Sequence, residues 1–503
     1  MTELSRRDFL KGAAAAGLTA AGCAHTPDKH IGQEARHQLY TNARFVDLDH
    51  GTIKYPWEVL VSGGKIIHSG PPQKYSGVSA PEVMDLKGRY IMAGLMDAHC
   101  HLTLPSVSSY SPFLTLACWR QLHKNMENQL LSGVTHVRDM GAMPPILLTL
   151  MRKVKKGDLL GPEVIRANAI FNIKGGHPDV SPSDVSFLAG LGTLFTGAPT
   201  VDFEAGDLRQ AFDENCRSAD FVKLTMDEVS LIAGKPDIEL YSDAQLRTIF
   251  DLAQAAGKPV AAHAMGRFGL RRTLNFPIHS LEHTVCDGPL SETDLYSMKE
   301  RGVSVVPTTI LGNLYTFSKL ADPLPHGLES EASRQEAPLR EAHFASLTPA
   351  MVEPAIHQNN LAMLDKLRTL PLGELYKQGH YTFNPCHYFP ILTTGRDNLM
   401  RMRDAEIPIG CGTDAGVPFN YHGFILREMQ CMQRLGFSKA EVLTAATKTN
   451  AKILGIESRA GSIEAGKEAH FIVMDDNPLA NLSALNTLTH VVKHGQMHRV
   501  NAP

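Results

Sequence analysis

The chain is poor in several features that mark common kinds of protein. Its eight cysteines are Cys23, Cys100, Cys118, Cys216, Cys286, Cys386, Cys411 and Cys431, and no two form a CxxC pair. That scatter excludes a dense disulfide framework and a cysteine-built zinc site. There is no polybasic run, and the formal net charge is -3. No broad positive field therefore exists to hold nucleic acid. Charged residues at 20% beside hydrophobic residues at 43% exclude wholesale disorder and predict a packed core. A length of 503 residues is too great for one ordinary domain and fits a large unit with a smaller appendage. What the chain has in surplus is histidine, 23 in all, a hint of metal chemistry that surface histidines can also produce.

The N-terminus reads as an address. Residues 5–11 are SRRDFLK, followed by the small apolar stretch AAAAGLTAAGCA. A charged region, a short apolar core and a small-residue processing site make a signal peptide over 1–23, too short in its apolar run for a membrane span. Arg6-Arg7 with Phe9 and Leu10 resembles a twin-arginine signal, as found on proteins exported already folded. An amphipathic N-terminal helix is the competing reading. Export would involve the twin-arginine translocation machinery and leave the protein periplasmic or membrane-anchored outside the cytoplasm. Ala20-Ala21-Gly22-Cys23 looks like a lipobox with an imperfect first position, so Cys23 either carries lipid or belongs to an ordinary soluble product.

Residues 24–40 are polar and read as a linker. Residues 41–92 hold short β-rich runs broken by Gly, Asn and Asp turns, which predict antiparallel strands. The stretch 460–503 has the same texture, so both ends are expected to build one small composite β-sandwich. Between them, over 93–459, short apolar strands alternate with amphipathic helices such as SDAQLRTIFDLAQAAGK and LSETDLYSMKERG. The strands are LMDAHC, VTHVRD, EVIRANA, FVKLT, PVAAHA, HSLEHT, VSVVPT and IPIGCGTD. Eight βα repeats predict an α/β fold, a (β/α)8 TIM barrel. An insertion at about 311–395 exceeds the usual loop length and needs structure of its own: a lid, a dimer surface or a membrane contact. Its aromatic and histidine cluster, Tyr376, His380, Tyr381, Phe383, His387, Tyr388 and Phe389, either lines a lid or packs a helical subdomain. A homo-oligomer is one outcome.

Active sites of such barrels lie at the C-terminal strand ends. Strand one ends in His99-Cys100-His101, and alternation puts both imidazoles on one face, able to hold one ion. Strand four carries Lys223 among apolar neighbours. Strands five, six and eight end in His263, His283 and Asp414. Each alone is weak: a lone strand histidine is more often a satisfied core residue. A bare ammonium inside a strand is costly, so Lys223 either snorkels, pairs with a carboxylate, or becomes a carbamate by adding carbon dioxide. Together, four imidazoles and two anionic groups suit two borderline cations such as zinc.

The motifs GLMDAHCH at 94–101, GVTHVRD at 133–139, Lys223, His263-Ala264, Glu282-His283, Pro307-Thr308, GTDAG at 412–416 and GKEAH at 466–470 resemble the amidohydrolase superfamily in its two-metal, carboxylated-lysine form. The resemblance runs over most of 41–500, nearest the prolidase-like branch, with imidazolonepropionase-like cousins. It implies that His99 and His101 hold one metal, His263 and His283 the second, and carboxylated Lys223 bridges them. Asp414 would ligate the first metal and move protons. A hydroxide bridging the cations would attack the scissile carbonyl. The expected activity is zinc-dependent hydrolysis of a non-ester C–N bond in a small-molecule amide, such as a dipeptide or N-acyl amino acid. The rivals are opening of cyclic amides, lactones or esters on the same site, and a metal- or solute-binding lipoprotein without catalysis. Deaminases of the superfamily generally lack the strand-four lysine. Two departures stand out: Ala469-His470 where the family usually has Ala-Asp, and an altered glycine-rich loop, NIKGGH at 172–177. His177, Tyr241 and Arg267 are candidate substrate contacts, Arg267 either clamping a carboxylate or starting a helix.

Overall fold

A computed structural model describes residues 37–500 except 77, 79, 110, 174–176, 178–199, 203–207, 229–240, 316–330, 372–373 and 376–384. The signal, Cys23 and the insertion residues Tyr376, His380, Tyr381 and Phe383 lie outside the described residues.

Leu95–Cys100, the first strand of the central region, is buried at every position, and so is Val134–Asp139 beside it. Burial on both faces is what near-continuous apolar runs in parallel sheets produce. These strands pair in parallel with each other and with Glu163–Arg166. A second parallel run joins Ile170–Asn172, Val222–Thr225, Val260–His263, Ser280–Glu282 and Ser304–Val306. The two runs meet where Asp220 N–H donates to the Arg166 carbonyl at 2.8 Å. The other seam is filled by residues 408–415. Gly410 N–H donates to Val305 O at 2.8 Å, Ala98 N–H to Cys411 O at 3.0 Å and His101 N–H to Ala415 O at 2.7 Å. The result is a closed fold of the TIM-barrel type with the eight strand positions expected. Its third position is broken in two at Asn168, whose φ is +63°. Thr200–Asp202 adds a further parallel strand to Ile170–Asn172, a pairing that no alternation in the sequence signals.

Three helices start on the same device. Asp243–Ala255, Glu292–Glu300 and Lys439–Thr444 follow Ser242, Ser291 and Ser438, each serine forming a reciprocal capping box with Gln245, Asp294 or Glu441. Such caps stabilise a helix start by about 1 kcal/mol.

Among the described residues, the segments 37–93 and 471–499 meet in one eight-stranded sheet. Its first strand, His37–Asp47, starts inside the stretch read as linker. It pairs antiparallel with Thr52–Ser62, but in parallel with Glu82–Asp85 and Tyr90–Ala93. The purely antiparallel expectation for 41–92 is therefore corrected. Alternation reports which face of a strand is buried, not the direction of its neighbour. Tyr90–Ala93 then pairs with Phe471–Met474 from the far end, followed by Leu488–Lys493 and Gln496–Arg499. Tyr40, Val59, Ile91, Phe471 and Val492 share one apolar cluster.

The insertion contributes the helices Glu331–Ser346 and Pro354–Thr369. Asn360 on the second fixes the segment after His101: it accepts from Ser108 N–H at 2.9 Å and donates to Ser106 O at 2.8 Å. Tyr388 and Phe389 are both buried, with Tyr388 4.8 Å from Tyr315.

Candidate metal centre

Every strand end named from the sequence brings its side chain to one place. His99 and His101 direct Nε2 at the same Asp414 oxygen, 3.4 and 3.2 Å away. All three are buried and their ligand atoms fall within 4.8 Å of one another. The His99 ring lies 4.8 Å from His283, and His283 lies 4.3 Å from His263. The four imidazoles thus form a continuous group across strands one, six and five.

Their free directions are set from behind. His99 Nδ1 faces Glu282 Oε2 at 2.8 Å, His101 Nδ1 faces Gly141 O at 2.9 Å, and His283 Nδ1 faces Thr308 Oγ1 at 2.7 Å. A partner on Nδ1 leaves Nε2 for an ion, the usual arrangement for metal-binding histidine. The sixth, seventh and eighth strand positions all end in left-handed backbone at a non-glycine residue: His283 at φ +72°, Thr308 at +47° and Asp414 at +57°. Such strain gathers where side chains must be aimed. Gly412 has a different task. A Cβ there would fall 2.5 Å from Val306 Cγ1 and 2.9 Å from His99 N, so only glycine lets strand eight close against strand one.

Lys223 is 2% exposed, and its Nζ has no hydrogen-bond partner among the described residues. Burial pushes its pKa down to about 8, partly opposed by the carboxylates of Glu282 and Asp414. An amine brought this near neutrality has the lone pair that carbamate formation needs. Burial alone would raise the Asp414 carboxyl, but the charges and hydrogen bonds of His99 and His101 hold it well below the usual range. His283 is driven well below the ordinary histidine value by burial and by His263 and His99, which keeps the neutral, ligating form. An orphaned buried amine, four imidazoles and an ionised carboxylate are a donor set that fits two borderline divalent cations.

The sequence reading missed supporting residues. Arg138 donates to Ala98 O at 2.8 Å, Ser280 Oγ at 3.0 Å and Glu282 Oε1 at 2.6 Å. Asp97 accepts from the backbone N–H groups of His99 and Thr413 and from the Thr413 hydroxyl, locking strand one to strand eight. Asp227 accepts from Met265 and Gly266 N–H, and its Oδ2 lies 2.7 Å from His263 Nε2, off the line of a hydrogen bond. Arg138 and Glu282 fall within motifs that drew notice. Asp227 lies beyond its strand end and leaves no signal.

Of the candidate substrate contacts, His177 is buried with its ring 4.9 Å from His263. Tyr241 is buried beside Thr225, at the end of strand four. Arg267 is the first residue of the helix Arg267–Thr273, with its guanidinium 3.4 Å from Asp287. The structure gives it a carboxylate of its own chain.

A TIM-type barrel with this histidine and carboxylate group at its strand ends defines a class of metal-assisted hydrolases. Residues 90–497 match the amidohydrolase family, and the chain belongs to it. Residues 3–22 match the twin-arginine translocation pathway signal sequence. An uncharacterised protein of Mycobacterium tuberculosis is 25% identical over 371 residues, covering 71% of this chain and 73% of that protein. The imidazolonepropionase of Caulobacter vibrioides is 26% identical over 316 residues, covering 56% of this chain and 72% of the enzyme. The crystal structure of a Xaa-Pro dipeptidase with methionine bound in its active site superposes with a TM-score of 0.66 at 20% identity. That match covers 92% of this chain and 100% of the other, and it is a likeness of fold.

Proposed function

We propose that this protein is an exported, zinc-dependent amidohydrolase that cleaves the C–N bond of a small-molecule amide, such as a dipeptide or N-acyl amino acid. The observation that carries this reading is the meeting of Asp414, four imidazoles and the unpartnered Lys223 amine at one end of the barrel. Membership of the amidohydrolase family supports C–N hydrolysis, and the signal supports export; Cys23 would be the point of any lipid anchor. In this reading the chain ends form a β-sandwich appended to the barrel.

His99, His101 and Asp414 would hold one ion, and His263 and His283 the other. Lys223, carboxylated at Nζ by carbon dioxide with loss of a proton, would be the anionic residue shared by the two ions. When bound, the two cations supply an activated water and an electrophile for the scissile carbonyl. Asp414 would take the proton of the attacking water and pass it to the leaving nitrogen, which must be protonated to depart. Glu282 and Arg138 hold His99 in the tautomer that presents Nε2. His177, beside His263, and Tyr241, beside Thr225, would be the substrate contacts.

The test is mass-spectrometric hydrolysis of a panel of dipeptides and N-acyl amino acids, with zinc and bicarbonate present. Asp414→Asn should lower turnover at least about a hundredfold while keeping most of the metal, and Lys223→Ala should lose both. A Lys223→Ala protein with full metal content and activity sinks the bridging role. A parent protein that holds two metals yet cleaves no amide sinks the substrate class.

A further inference from the structure

A second group of metal-ligating side chains lies apart from this centre, beside the start of the first barrel strand, where Gly94 N–H donates to the His470 carbonyl at 3.1 Å. His136, Glu468 and His470 each place one ligand atom there, all within 4.8 Å of one another. Both histidines are buried, His136 completely and His470 to within 4%. We infer that His136, Glu468 and His470 form a further divalent-cation site, suited to zinc or another borderline metal, that ties the tail of the chain to the second barrel strand.

Three observations carry the inference. His470 Nε2 and Glu468 Oε2 are 3.2 Å apart. Ligands on a tetrahedral zinc, at bonds of about 2.0–2.1 Å, are separated by about 3.3 Å. The first centre shows the same edge, 3.2 Å between His101 Nε2 and Asp414 Oδ1. A cation here would replace the proton that the two groups share.

His136 supplies the second observation. Its Nδ1 is 3.1 Å from Thr135 Oγ1, and that hydroxyl also reaches the Leu95 carbonyl at 3.4 Å. A hydroxyl that donates to the carbonyl accepts from Nδ1–H, which leaves a lone pair on Nε2. That nitrogen is buried with no hydrogen-bond partner among the described residues. Burying an imidazole nitrogen without a partner is costly, and an ion would remove the cost. The backing on Nδ1 is the same device that aims the histidines of the first centre. The rings of His136 and His470 are 4.7 Å apart, edge to face.

The third observation concerns charge. Glu468 is also paired with Arg459, whose Nη1 reaches Oε1 at 3.2 Å and Oε2 at 3.0 Å, and that arginine is 42% exposed. Lys493, the other nearby cation, is already neutralised by Glu163 at 2.8 Å. His494 stands 4.4 Å from His470 and lines an open groove with Glu163 and Lys493. Two imidazoles and one carboxylate suit zinc, copper(II) or nickel(II) over magnesium or calcium.

The experiment counts metal. Purified protein stripped with a chelator is reloaded with zinc alone, gel-filtered and measured by plasma mass spectrometry. His470→Asn and Glu468→Gln should each hold one zinc fewer per chain than the parent. Zinc should also raise the melting temperature of the parent more than that of either variant. If His470→Asn does not fold, the isosteric Glu468→Gln change, at a partly exposed side chain, carries the count. Equal zinc counts in the parent and the folded variants overturn the site. Because the count is a difference from the parent, it stands or falls separately from whatever the first centre binds or cleaves.

Discussion

The two oxygens of Glu282 face different partners. Oε2 receives His99 Nδ1, while Oε1 receives Arg138 and the Ser280 hydroxyl, each at 2.6 Å. Burial opposes its ionisation, yet Arg138 and His99 hold the carboxyl far below the usual range. A carboxylate is the one group that accepts on both sides, so Glu282→Gln must turn an N–H either against His99 or against Arg138 and Ser280. We expect that variant to fold and to bind metal about 10–100-fold more weakly, read by competition with a chromophoric chelator. Unchanged affinity would show that His99 is oriented by other means. At this scale the sequence named the residues that point inward, because strand alternation and strand ends define them. It could not name the backing. Whether Arg138 meets Glu282 or solvent depends on which strand lies across the barrel, and Asp227 meets His263 only because the loops after strands four and five come together.

Among elements, the helix Glu292–Glu300 was legible because its signal is local: Ser291 and Asp294 sit three apart before an apolar stripe. Asp294 adds a longer link, accepting two hydrogen bonds from Arg271 at 2.9 Å. Arg271 holds its carboxyl down to about 2, below the ordinary 3.8, against the opposing effect of burial. A depressed carboxyl contributes stability above about pH 4 that disappears as the pH falls towards 2. Asp294→Ala should therefore cost about 1–2 kcal/mol at pH 7, with the gap from the parent narrowing through pH 4 to 2 in urea melts. A constant gap across that range would rule out the charged contact as its source. Where the controlling contact was distant, legibility failed. The break of strand three at Asn168 depends on its side chain reaching Asn215 O at 2.8 Å. The parallel placement of Glu82–Asp85 depends on which edge of the first strand is open. No residue pattern in either segment encodes those partners.

Across the whole molecule, the insertion is tied to the barrel through a few buried polar groups. Asn360 joins Ser106 O, Ser108 N and the Tyr421 hydroxyl. Asn360→Ala should destabilise the fold by about 2 kcal/mol and speed proteolysis within 331–371, followed by gel and mass spectrometry. Intact resistance would place the anchoring in the apolar cluster around Ile356 and Met363 instead. The length of this insertion was plain in the sequence, but its seat against the loop after His101 was not, since that contact spans some 250 positions. The sheet built from both ends carries a consequence of timing. Tyr90–Ala93 gains a neighbour on its second edge only when Phe471–Met474 has been made, and the last strands follow it. On a ribosome, Tyr90–Ala93 waits with an open sheet edge until Phe471–Met474 has emerged. A twin-arginine signal thus precedes a sheet that closes only when a strand some 380 positions beyond Tyr90–Ala93 has been made.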